Sequence, residues 1–137
     1  MILVDTSVLV DFLRGSETKA TQELERALAA GNEIVLTPEV VQEVLQGARD
    51  ESEWRTLKRY LASQTVVRSR DPLATHLAAA RIFFACRRSG LTVRSSVDCL
   101  IAQRALEGGL PLLHDDRDYE AIRQVRPLKT LPSPRTS

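Results

Sequence analysis

Six acids stand where their type and placement could do chemistry: Asp5, Glu43, Asp98, Asp115, Asp116 and Asp118. Asp5 directly follows the apolar run Ile2 to Val4, and Asp115, Asp116 and Asp118 follow another, Leu110 to Leu113. Glu43 falls a little over one turn into a predicted helix, and Asp98 in the first turn of another. Taken singly, each has an ordinary structural use: Asp5 as a helix cap, Asp98 as a first-turn acid favoured by the helix dipole, Glu43 as a solvated helix position. Gathered at one point they would repel by up to ~4 kcal/mol per close pair at an effective dielectric of 20, and a bound cation relieves that repulsion. Every donor is an oxygen, so the expected ion is hard and divalent, Mg²⁺ or Mn²⁺. Such an ion polarises a phosphoryl oxygen and activates water, the chemistry of phosphodiester hydrolysis. A structural Ca²⁺ site is the weaker alternative, since no DxDxDG loop occurs.

For these acids to meet, several strand ends must share one edge. Ile2 to Val4, Ile34 to Leu36, Thr65 to Val67, Leu110 to Leu113 and Leu128 to Leu131 read as short strands. Between them the apolar residues recur at helical spacing. Asp5, Thr6 and Ser7 start a helix through Val8, Leu9, Phe12 and Leu13, and a second follows with Ala20, Leu24, Ala27 and Leu28 before Gly31. Pro38 opens a helix striped by Val40, Val41, Val44, Leu45 and Ala48, leaving Glu43 off the stripe. Further helices are predicted over Glu51 to Ser63, from Asp71 and Pro72 through Leu73, Leu77, Ala80 and Phe84 to near Gly90, over Val97 to Leu106, and over Tyr119 to Val125. Short apolar strands alternating with amphipathic helices predict an α/β fold with a mainly parallel sheet of about five strands, because helices supply the crossovers that parallel strands need. Ligands in that class sit beyond the carboxyl ends of the strands, where these acids fall.

The chain's composition, 43% hydrophobic and 27% charged, excludes intrinsic disorder and fibrous classes. No apolar run approaches the ~18 residues of a membrane span, and the N-terminus has no basic start, so neither a transmembrane helix nor a signal peptide is expected. Cys86 and Cys99 have no zinc-like spacing and read as reduced, buried thiols of a cytoplasmic protein. One domain over residues 1–131 is expected, with a polar, proline-punctuated tail over 132–137 expected to be disordered. Net charge is only +1, yet residues 1–53 hold eleven acids against four bases, and residues 54–137 seven acids against fifteen bases. An acidic site beside a basic surface that attracts polyanions fits this asymmetry.

The motifs now assembled are Ile2-Leu-Val-Asp5-Thr6-Ser7, Pro38-Glu-Val-Val-Gln-Glu43, Val93-Arg94-Ser95-Ser96-Val97-Asp98 and Leu113-His-Asp-Asp116-Arg-Asp118-Tyr119. In this order, separated by these elements, they resemble the PIN-domain ribonucleases of the VapC toxin type, over nearly the whole chain. The resemblance implies a PIN-like α/β/α sandwich, metal coordination by Asp5, Glu43, Asp98 and Asp116 with Asp118 in or beside the site, and Thr6 supporting the first carboxylate. It also implies RNA cleavage leaving a 5′-phosphate and a 3′-hydroxyl, homodimerisation, and neutralisation by a cognate antitoxin protein whose C-terminal segment fills a groove and blocks the metal site. His114 stands where relatives often carry Thr, and Asp115 adds an acid beside the motif, which leaves the division of roles among Asp115, Asp116 and Asp118 open. His114 itself is read first as a structural hydrogen-bonding residue and second as a proton carrier.

Arg81, Arg87, Arg88, Arg94 and Arg104 oppose only Asp98 across residues 81–104. That stretch is the expected contact with RNA phosphates, with Arg87, Arg88, Arg94 and Arg104 as the candidate residues and a solvated helical face as the alternative. The sequence therefore points to a metal-dependent endoribonuclease toxin. A catalytically silent RNA- or protein-binding module of the same fold is the second reading, and a metal-dependent phosphomonoesterase the third.

Overall fold

Three apolar residues, Ile2–Val4, form β1 at the centre of a sheet, and each is almost wholly buried. The computed structural model describes residues 1–131; the tail expected over 132–137 lies outside them. After β1 come α1 (Thr6–Leu13), α2 (Lys19–Ala29), β2 (Ile34–Leu36), α3 (Pro38–Gln46), α4 (Glu51–Ala62), β3 (Thr65–Val66), α5 (Pro72–Arg88), α6 (Ser96–Gly108), β4 (Leu112–Leu113), α7 (Arg117–Arg123) and β5 (Thr130–Leu131). The five strands lie in the order β3-β2-β1-β4-β5 and every neighbouring pair is parallel. Leu3 stands opposite Val35 on one side and Leu112 on the other, which fixes the central register.

Local chemistry sets the helix ends. Thr18, Thr37, Asp50, Asp71, Ser95 and Asp116 each accept a backbone N–H at a helix start, and Pro38 and Pro72 occupy first-turn positions where no N–H is needed. Gly109 ends α6 in the left-handed region at φ 61°, a conformation that favours glycine. Helices α1 to α4 pack chiefly among themselves and α5 to α7 among themselves, giving the two helical layers of an α/β/α sandwich, which α3 and α6 join by a direct contact. Among the described residues no helix is long and apolar enough to cross a membrane.

Because all strands run the same way, their carboxyl ends share one edge. From β1 the chain connects outward to β2 and β3, then crosses back to β4 and on to β5, so the order switches between β1 and β4. A crevice opens at such a switch point, and the residues beyond β1 and β4 face it. Asp5 follows the first of these strands and His114 to Asp118 the second.

One helix departs from its apolar sequence pattern. Leu73, Leu77 and Phe84 of α5 are 68%, 64% and 40% exposed, whereas Thr75, Ala79, Ile82 and Cys86 face inward. The reason is close packing: α5 makes its main contact with α6, which presents Cys99, Ala102 and Ala105. Small residues let the two backbones approach, and the large apolar side chains are left outside.

Candidate active site

Asp5 sits at the N-cap of α1, but its carboxylate makes no capping bond and is therefore available to the crevice, although the residue is 5% exposed. The phenol of Tyr119, completely buried, lies 2.8 Å from Asp5 Oδ1 and 3.3 Å from Asp98 Oδ1 and donates to these carboxyl groups. Ser7 Oγ donates to Asp5 Oδ2 at 3.3 Å. Asp98, in the first turn of α6, Asp116, at the N-cap of α7, and Asp118 each offer a carboxylate oxygen, all within 4.8 Å of one another. The structure thus gathers three predicted acids tightly and ties the fourth, Asp5, to them through one phenol.

Electrostatics reflect the crowding. Burial, then a hydrogen bond with Asp118 and the charges of Asp5, Asp116 and Asp118, pushes Asp98 up to about 8. Burial also acts to raise Asp118, but hydrogen bonds from Asp98, from the backbone N–H groups of Arg94 and Ser95 and from the Arg94 side chain outweigh it and hold Asp118 low. Burial raises Asp5, with a further push from Glu43 against the hydrogen bond of Tyr119. Without a cation, then, burial and the neighbouring acids favour the protonated form of Asp98.

Thr6 and Arg104 make contacts that the sequence did not show. Thr6 serves Asp5 through its backbone N–H, while its hydroxyl donates to Glu43 Oε1 at 2.6 Å and fixes that acid beside the first carboxylate. Glu43 is half-buried and stands outside the tight group of three. Arg104 is not placed to meet RNA. Its side chain is 8% exposed and grips Glu39 at 2.6 and 3.0 Å and Ser69 at 2.8 Å, joining α6 to α3. The charge count along the chain missed this because the neutralising acid is 65 residues away.

Arg94 lies at the site itself, donating to Asp116 Oδ1 at 3.1 Å and Asp118 Oδ1 at 3.4 Å while its side chain stays 70% exposed. Arg87 and Arg88 project, exposed, from the last turn of α5, with the Arg87 guanidinium 5.9 Å from the Phe83 ring centroid. Exposed Arg81 covers Phe84 at 4.8 Å. Asp115 is exposed at the rim. His114 is structural: Nδ1 accepts the Asp116 N–H at 3.1 Å, Nε2 faces Glu120 at 3.2 Å, and burial holds the ring below its usual pKa. That arrangement assigns the proton to Nε2 in the neutral ring.

Tyr119 is the site residue that the sequence placed in a motif without giving it a role. The available signal was chemical: a phenol predicted to be buried needs a partner for its hydroxyl, and the residue directly follows Asp118. Tyr119→Phe is expected to lower stability by about 2 kcal/mol, because a charged acceptor loses its buried donor. It is also expected to reduce RNA cleavage roughly 10- to 100-fold by releasing Asp5 and Asp98 from their fixed orientation. Thermal melts and steady-state cleavage check the two effects separately.

Known proteins share both the sequence and this frame. The PIN domain family model matches residues 2–125. The chain is 35% identical over 130 residues to ribonuclease VapC11 of Mycobacterium tuberculosis, covering 94% of this chain and 96% of that protein. In fold it is similar to VapBC2 from Rickettsia felis bound to a DNA fragment from their promoter, with a TM-score of 0.70 and 18% identity over 95% of this chain and 97% of that one. A toxin-antitoxin complex from Klebsiella pneumoniae gives a TM-score of 0.64 at 18% identity over 85% of this chain and 88% of that one.

Proposed function

The chain belongs to the PIN-domain family, and within it to the VapC ribonucleases, and on that premise we propose that it is an endoribonuclease toxin of a toxin–antitoxin pair whose acids hold Mg²⁺ or Mn²⁺. The observation that carries this reading is the convergence of Asp98, Asp116 and Asp118, with Asp5 joined to Asp98 through Tyr119. The donor set fits a hard divalent ion: every candidate atom is a carboxylate oxygen, and without a cation the crowding disfavours the charge on Asp98. Asp5, Asp98, Asp116 and Asp118 would hold the ion, with Glu43 beside Asp5. When bound, the ion supplies a Lewis acid for a phosphoryl oxygen and a lowered pKa for water.

The chain's own residues do the rest. The N–H groups of Arg94 and Ser95 fix Asp118 Oδ2 at 2.9 and 3.2 Å, and the Asp118 N–H fixes Asp116 Oδ1 at 2.9 Å, so two ligands are aimed before substrate arrives. Tyr119 aims the other two. Arg94, Arg87 and Arg88 offer cations to the RNA phosphates, giving binding that weakens with salt. The silent-binding-module reading is not favoured, since a binding module gains nothing from a buried group of mutually repelling acids.

The sign of the pH dependence follows from Asp98. A carboxyl whose folded pKa lies above its unfolded value of about 3.9 makes the folded state bind more protons, so its contribution to stability falls as pH rises from about 4 to about 8. EDTA-treated protein is expected to melt lower at pH 8 than at pH 6, and the rise in Tm with millimolar Mn²⁺ to be larger at pH 8. Equal rises at both values would contradict the proposed coordination by Asp98.

A groove of about 620 Å³ between α1, α3 and α4 is floored by Val10, Leu13, Val44 and Leu57, rimmed by Arg14 and Arg49, and reaches Glu43. It is our candidate seat for the antitoxin segment, which would carry a cation to the acids. Leu57→Ala is expected to weaken antitoxin binding roughly tenfold with cleavage by the free chain unchanged, read by titration calorimetry and an RNA assay. The exposed α5 face of Leu73, Leu77 and Phe84 is our candidate homodimer contact. Residues 1–131 form the proposed nuclease domain, acting in the cytoplasm.

A further inference from the structure

Arg94 donates its side chain to two of the three acids that converge most closely, and to nothing else among the described residues. An arginine placed to brace the fold would be buried with its partner, as Arg104 is with Glu39. The Arg94 side chain is instead 70% exposed, so its fork costs little to move. We propose that Arg94 is the site's internal counter-ion: it occupies the place of positive charge at Asp116 and Asp118 when no ion is held, and must yield those oxygens for a divalent cation to bind. The inference rests on the proposed metal site and adds a competition within it.

The geometry separates the side chain from the scaffold. Asp118 Oδ2 is fixed by the backbone N–H groups of Arg94 and Ser95, whereas the guanidinium takes Asp118 Oδ1 and Asp116 Oδ1. Removing the side chain therefore leaves the carboxylate aimed and deletes only the competing charge. Once displaced, the fork is unpaired at the rim and suited to bidentate contact with a phosphate. Ion binding thus prepares the cation that receives substrate.

The test is Mn²⁺ titration by calorimetry on wild-type protein, Arg94→Ala and Arg94→Lys, with melts of each in EDTA. Arg94→Ala is expected to bind Mn²⁺ roughly three- to tenfold more tightly, with Arg94→Lys between it and wild type, because a strongly hydrated ammonium grips carboxylates less specifically than a fork. In EDTA the alanine variant should melt below wild type, having lost a compensating charge at these acids. Should alanine prevent folding, Arg94→Gln removes the same charge. Unchanged or weaker Mn²⁺ binding in the neutral variants, with wild type still binding, overturns the inference and leaves the metal site standing. A wild-type protein that does not bind millimolar Mn²⁺ overturns both.

Discussion

Asp98→Asn is expected to reduce RNA cleavage roughly 100-fold or more while leaving the metal-free fold as stable as wild type or slightly more stable. The substitution keeps the side-chain shape and a donor toward Asp118, and takes away the carboxylate a cation would need, whose charge burial and three neighbouring acids all disfavour. A first-turn acid that merely answered the helix dipole would behave in the opposite way, costing about 0.3 to 1 kcal/mol of stability and nothing in activity. The pairing of the two measurements therefore separates the roles. Asp50→Asn is the control: Asp50 is exposed and caps α4 through the Glu53 N–H, and Asn caps as well as Asp. Cleavage near the wild-type rate by Asp98→Asn would refute its assignment.

Arg104→Ala is expected to do the reverse, lowering stability by about 3 kcal/mol and melting temperature by roughly 10 °C while leaving cleavage per folded molecule unchanged. The cost comes from Glu39, 14% exposed, which would lose two hydrogen bonds in a site built for a guanidinium. Replacing both partners together, as Arg104→Met with Glu39→Leu, should recover most of the loss because no unpaired charge remains. A loss of RNA affinity in Arg104→Ala at full stability would restore it to the substrate surface.

The contrast between these two residues marks what the sequence could reveal. Asp5, Asp98, Asp116 and Asp118 were legible because each sits at a strand or helix end, where a local pattern fixes the position and a parallel sheet fixes the shared edge. The strand order was not readable, yet the site needed only that β1 and β4 end at the same edge. Arg104 was misjudged, and Tyr119 was given no role, because their partners, Glu39 and Asp5, lie 65 and 114 residues away, beyond any local pattern. Thr6 was expected to serve its neighbour, and its hydroxyl also reaches Glu43 across 37 residues. In α5 the inward face is set by small residues against α6, a packing choice that apolar periodicity does not record.

We propose that these acids make the chain a divalent-metal-dependent endoribonuclease, and RNA cleavage by the purified, partner-free chain decides it. A long single-stranded RNA incubated with Mg²⁺ or Mn²⁺ should be cut at internal linkages to fragments bearing 5′-phosphates, and EDTA should abolish the cutting, with excess ion restoring it. Cleavage that persists undiminished in EDTA would contradict the account, as would an intact RNA in the presence of a protein that demonstrably binds the ion.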